Sequence, residues 1–134
     1  MDRALAPPSA ETWARRAAWF WKAHDVNAGP APLALDSRAE LLLGDLESAF
    51  CAGAWSAVIL LAWALVEDVE RRRAAAGDAA APAADVDWLR ERRNRVAHGG
   101  GADPWLPSDE RAQQGDAEAA VRLTFKALFA AAWR

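Results

Sequence analysis

Apolar residues recur along this chain at three- and four-residue steps in five separate stretches, the period of an amphipathic helix. No stretch shows the period-two alternation of a half-buried strand, and no internal repeat is present. Trp13, Ala17, Phe20, Trp21 and His24 mark one face of a helix predicted over residues 9–25, which follows Pro7-Pro8 and is capped by Ser9. A Gly/Pro-containing connection, residues 26–35, leads to Ser37-Arg38-Ala39-Glu40, the pattern of a capping box. The helix it opens runs to about Ala52 with Leu42, Leu43, Leu46, Ala49 and Phe50 inward, and Gly53 breaks it. The next, over residues 55–76, is apolar almost all round at first, which marks it as the central helix. Its second half turns charged and ends in Arg71-Arg72-Arg73 before Gly77. Arginines there complement the negative end of the helix dipole, so the triplet reads as a solvated helix end.

An Ala/Pro linker, residues 78–84, precedes a fourth helix with Asp85 as the expected N-cap and Val86, Leu89 and Val96 as its apolar stripe. Gly99 is placed to stop it in the left-handed conformation. Residues 99–108 read as a loop anchored by Trp105 and Leu106, and residues 109–114 as a polar turn. Asp116 is the expected cap of a last helix with Val121, Phe125, Leu128 and Ala132 inward, and Phe129 and Trp133 beside them. The predicted fold is all-α: an up-and-down bundle of four to five helices. Residues 9–25 form an accessory N-terminal helix on a core of residues 37–133, within one domain spanning 1–134.

With 134 residues, 53% hydrophobic and 26% charged, the chain can bury a real core. The longest apolar run, residues 57–66, stops at Glu67-Asp68 and is too short for a membrane span, so no membrane partner is expected. The opening MDRALAPPSA carries no signal-peptide segment, and the single cysteine, Cys51, excludes an internal disulfide. Both point to the cytoplasm. A net charge of −3 argues against a general nucleic-acid coat protein but not against one local basic site.

Phosphate-binding glycine loops, Gly-x-Ser-x-Gly and histidine pairs at metal spacing are all absent, so neither a metal nor a cofactor is expected. What remains is LRERRNRVAHG, which gathers Arg90, Arg92, Arg93, Asn94, Arg95 and His98 near one helix end. Histidine, with an ordinary pKa of about 6.5, suits proton transfer at neutral pH. Arginine offers a permanently charged fork that fits phosphate oxygens. Asn94 lies four residues before His98, so on a helix it can hydrogen-bond the imidazole. Together these are the minimum for metal-free RNA cleavage. The same residues also make an ordinary helix C-terminus, and His24, which ends an apolar stripe, reads as a structural or surface histidine.

Arg93-Asn94-x-x-x-His98 resembles the signature of the HEPN superfamily: an arginine, four to six residues, then a histidine, commonly with a polar residue after the arginine. The preceding DLESAFCAGAWSAVILLAWALVEDVERR looks like that family's paired core helices, with Glu67 closing the apolar run, and the likeness covers about residues 41–133. The resemblance implies a helical bundle that dimerises with two motifs face to face. It further implies a metal-independent endoribonuclease of the kind found in toxin–antitoxin, abortive-infection and CRISPR systems, with an antitoxin as a possible protein partner. Arg92 also falls within the permitted spacing, but only Arg93 is followed by asparagine. The chain has no tyrosine, so it departs from those family toxins that are modified on a tyrosine after the histidine.

The leading expectation is a homodimeric ribonuclease with catalytic Arg93, Asn94 and His98, and with Arg90, Arg92 and Arg95 on the flanking RNA backbone. The alternatives are a non-catalytic HEPN-like module that binds RNA, nucleotide or protein, and a purely structural bundle.

Overall fold

A computed structural model describes residues 6–30, 32–78, 82–98 and 109–132, and every regular element in them is an α-helix. In chain order these are α1 Ala10–Asn27, α2 Ser37–Ala52, α3 Trp55–Ala76, α4 Ala83–His98 and α5 Glu110–Ala132. The all-α bundle expected from the periodicity is what forms. Gly99, Trp105, Leu106 and Trp133, named above, lie outside the described residues, as does the whole segment 99–108.

Helices α1 to α3 begin and end close to their sequence signals. Ser9 Oγ accepts from the Thr12 N–H at 3.1 Å. Gly53 (φ 76°) and Gly77 (φ 73°) terminate α2 and α3 in the left-handed region that only glycine enters cheaply. The cap of α2, however, is Asp36 and not Ser37. The Ala39 N–H donates to Asp36 Oδ1 at 2.8 Å, while Arg72 of α3 pairs with Asp36 Oδ2. A carboxylate offers one oxygen to the helix end and the other, with its charge, to a cation, whereas a serine hydroxyl is neutral and has a single oxygen.

The starts of α4 and α5 differ from expectation. The N–H groups of Asp85 and Val86 donate to the Pro82 carbonyl at 3.1 and 3.3 Å, so α4 opens before Asp85. Proline suits that place because its φ is fixed and it has no N–H to leave unsatisfied. Asp85 lies 3.5 Å from Lys126 of α5 instead. Asp109 caps α5, its Oδ1 accepting from the Ala112 N–H at 3.4 Å, so the expected turn is helix and Gly115 and Asp116 lie inside it. Glu110, Arg111, Ala112, Gln113 and Gln114 are all strong helix formers, and one interior glycine subtracts only about 1 kcal/mol.

Packing is organised on α3, which contacts α2, α4 and α5, while α1 lies against α2 and α5. Val58, Ile59, Ala62, Leu65 and Val66 of α3 are buried with Phe20 of α1, Leu46 and Phe50 of α2, and Val121 and Phe125 of α5. The Phe20 and Phe125 rings meet edge to face at 5.1 Å, and Trp19 stacks on Phe50 at 4.8 Å. The inward face of α1 is therefore set by Phe20 and Ala23; Trp13 and Trp21, expected inside, remain 42% and 43% exposed. Trp21 finds a polar partner, Nε1 donating to Glu47 Oε1 at 3.1 Å. His24 sits edge-on against Phe125 and Phe129, a packing role. The Arg71–Arg73 triplet is not uniformly solvated: Arg73 is buried and donates to the Ala127 carbonyl of α5 at 3.1 Å and to Glu70 Oε1 at 3.2 Å. Among the described residues no helix is long and apolar enough to cross a membrane.

Candidate nucleic-acid site on α4

Helix α4 buries Leu89 completely, rests Val86, Trp88 and Val96 on the core, and turns Asp87, Arg90, Glu91, Asn94 and His98 to solvent. An α-helix advances about 100° per residue, so Asn94 and His98 share one outward face while Arg93 points about 140° away from His98. Five residues in sequence thus separate Arg93 and His98 on the helix wheel. Asn94 and His98 lie one turn apart with no hydrogen bond between them among the described residues.

The arginines are fastened along the flanks. On the α3 side the Arg93 guanidinium carbon lies 5.3 Å from the Trp63 ring centre, and that of Arg90 lies 5.4 Å from the same indole. Trp63 itself is only 9% exposed, so the two cations rest on a ring fixed by the core. On the other flank Arg92 sits 5.5 Å from the Trp88 ring, with its Nε 3.4 Å from Asp116 Oδ2 of α5. That distance makes an ion pair, yet Nε lacks hydrogen-bond alignment there. Arg90 Nη1 donates to Asp87 Oδ1 at 2.8 Å and Arg95 Nη2 to Glu91 Oε1 at 2.6 Å.

Arg93 differs from its three neighbours. Arg90, Arg92 and Arg95 each have a carboxylate partner, whereas Arg93 has none among the described residues and its Nε is buried without a hydrogen-bond partner. Among the described residues its charge rests on an aromatic face and meets no carboxylate. Asp87 and Glu91 were readable as helix-spaced partners of Arg90 and Arg95. Trp63 and Asp116 were not, because they come from distant segments. Trp88 is half-buried and carries Arg92. Among the described residues no group of three or more His, Cys, Asp or Glu side chains could hold a metal ion. The chain matches no family model, no curated protein and no solved structure.

Proposed function

We propose that this protein is a HEPN-like, metal-independent endoribonuclease that acts as a homodimer. The observation that carries the reading is Arg93, a cation fixed against Trp63 and left without a carboxylate partner among the described residues, on the helix that ends in exposed His98. In this reading Arg93 binds the scissile phosphate and stabilises its extra transition-state charge. His98 exchanges protons with the ribose 2′-hydroxyl and the leaving 5′-oxygen, and Asn94 orients the imidazole once RNA is bound. Arg90, Arg92 and Arg95 track the flanking backbone, which carries no sequence information. Because Arg93 and His98 diverge around α4, one chain does not aim both at one phosphorus. A two-fold interface brings the same patch of both chains together and pairs His98 of one copy with Arg93 of the other.

Purified protein incubated with labelled single-stranded RNA in EDTA tests this directly. Cleavage that disappears in His98→Ala and in Arg93→Ala supports the enzyme; cleavage that survives both substitutions sinks it. A second reading, a non-catalytic RNA-binding or interaction module, is favoured by the three arginines already paired with carboxylates of their own chain. RNA binding without cleavage, lost in Arg93→Gln, would establish that one instead.

A further inference from the structure

Away from the solvent face of α4, a cavity of about 480 Å³ opens between the end of α1, the first turns of α4 and the middle of α5. Its size is that of a small-molecule site. Trp88, Leu123, Ala119 and Val26 form apolar walls, and Val26 is 77% exposed. A second hollow of about 280 Å³ shares Ala23, Val26 and Arg122 with the first and adds Trp19 and Lys22. The two hollows adjoin through these three residues, with Trp88 lining the first and Trp19 the second.

The charges around it are lopsided. The chain has only two lysines, Lys22 and Lys126, and both border this groove with Arg122 between them. Against these three cations the lining offers, among the described residues, one carboxylate, Asp85, already 3.5 Å from Lys126. A local cationic surplus around apolar walls, in a chain of net charge −3, is complementary to an anion with an apolar body. The groove has little else to recognise a polar ligand, since the Asn27 amide already donates to the Ala23 carbonyl at 3.0 Å. A sugar or peptide would leave several polar groups unpaired here. The Arg122 guanidinium lies 5.0 Å from the Trp19 ring centre, which orients its planar fork; such a fork fits a carboxylate with two parallel hydrogen bonds.

We infer that this groove between α1, α4 and α5 binds a small aromatic carboxylate, its ring against the apolar wall of Trp88, Leu123 and Val26 and its carboxylate on Arg122, which rests over Trp19, with Lys22 and Lys126 beside it. The inference is independent of ribonuclease activity, because none of these residues belongs to the Arg93–His98 motif. The test is a titration of the full chain with 1-naphthoate, followed by calorimetry and by the tryptophan indole N–H signals in ¹⁵N NMR spectra. The expected result is saturable one-to-one binding that shifts the Trp19 and Trp88 indole signals and leaves Trp63 in place. Arg122→Gln, an exposed position, should weaken it roughly tenfold or more, the loss of a charge-assisted hydrogen bond. Lys22→Gln should weaken it in the same direction. The uncharged 1-naphthamide should bind worse by a similar factor. No saturation at millimolar probe, equal binding of the amide, unchanged affinity in both variants, or a shift centred on Trp63 would each overturn the assignment.

Discussion

Trp63 is the residue on which the candidate site physically rests, since one buried indole lies under both Arg90 and Arg93. Trp63→Leu removes two cation–π contacts and part of a buried ring, and should lower stability by roughly 2–3 kcal/mol in urea denaturation. If the arginines bind RNA as proposed, it should also weaken RNA binding without itself being exposed. Trp63→Phe, which keeps a ring face, should restore part of both, and RNA affinity unchanged in Trp63→Leu would detach this residue from the site. Asp36 gives a second test at the same scale. The Ala39 N–H, and after it the Arg72 charge, hold its carboxyl below the ordinary 3.8 despite an opposing desolvation contribution. A depressed folded-state value means that its stabilisation is present above the unfolded value and fades as pH falls through the folded one. Asp36→Ala should therefore melt lower than wild type at pH 7, with the gap closing below about pH 4. At this scale the sequence exposed the chemistry but not its neighbours. Arg93 and His98 were legible as residue types, whereas the indole beneath Arg93 lies thirty positions back on α3 and no local pattern announces it.

Among the helices, glycine positions separate what was readable from what was not. Gly53 and Gly77 were legible as stops because the first follows the last inward residues of an apolar face and the second an arginine-rich last turn, and both adopt positive φ. Gly115, expected just before the Asp116 cap of the last helix, lies inside α5, where an added Cβ meets nothing within 4 Å. Gly115→Ala should accordingly raise stability by about 0.5–1 kcal/mol in chemical denaturation. Gly53→Ala should destabilise by more than Gly77→Ala. Both pay the positive-φ penalty of about 1 kcal/mol, but a Cβ at Gly53 would come within 2.8 Å of Arg16 Nη1, which donates to the Cys51 carbonyl at 3.2 Å. Equal losses in the two variants would show that Arg16 moves aside freely. The start of α4 departs from the local signal for a general reason: good capping residues are common inside first turns too, and the backbone bonds from Asp85 and Val86 to the Pro82 carbonyl place Asp85 within the helix.

For the molecule as a whole, the proposed dimer makes a stoichiometric claim. Mixing wild-type subunits with an excess of His98→Ala subunits should lower the activity per wild-type chain as mixed dimers form. Constant specific activity would mean that each chain works alone. RNA affinity should fall steeply with salt, the log–log slope near −0.7 for each phosphate neutralised on a single strand. A final consequence follows from Cys51, the only cysteine, which is fully buried at the end of α2 with its thiol pushed up by desolvation. Disulfide reagents attack the thiolate, so the folded molecule should be nearly silent to them. Labelling then proceeds only through openings that expose the end of α2, and its rate under native conditions is a stopwatch for those excursions. Arg16→Ala frees the Cys51 carbonyl from its cross-helix donor and should make the stopwatch run faster, while substitutions on the solvent face of α4 should leave its pace unchanged.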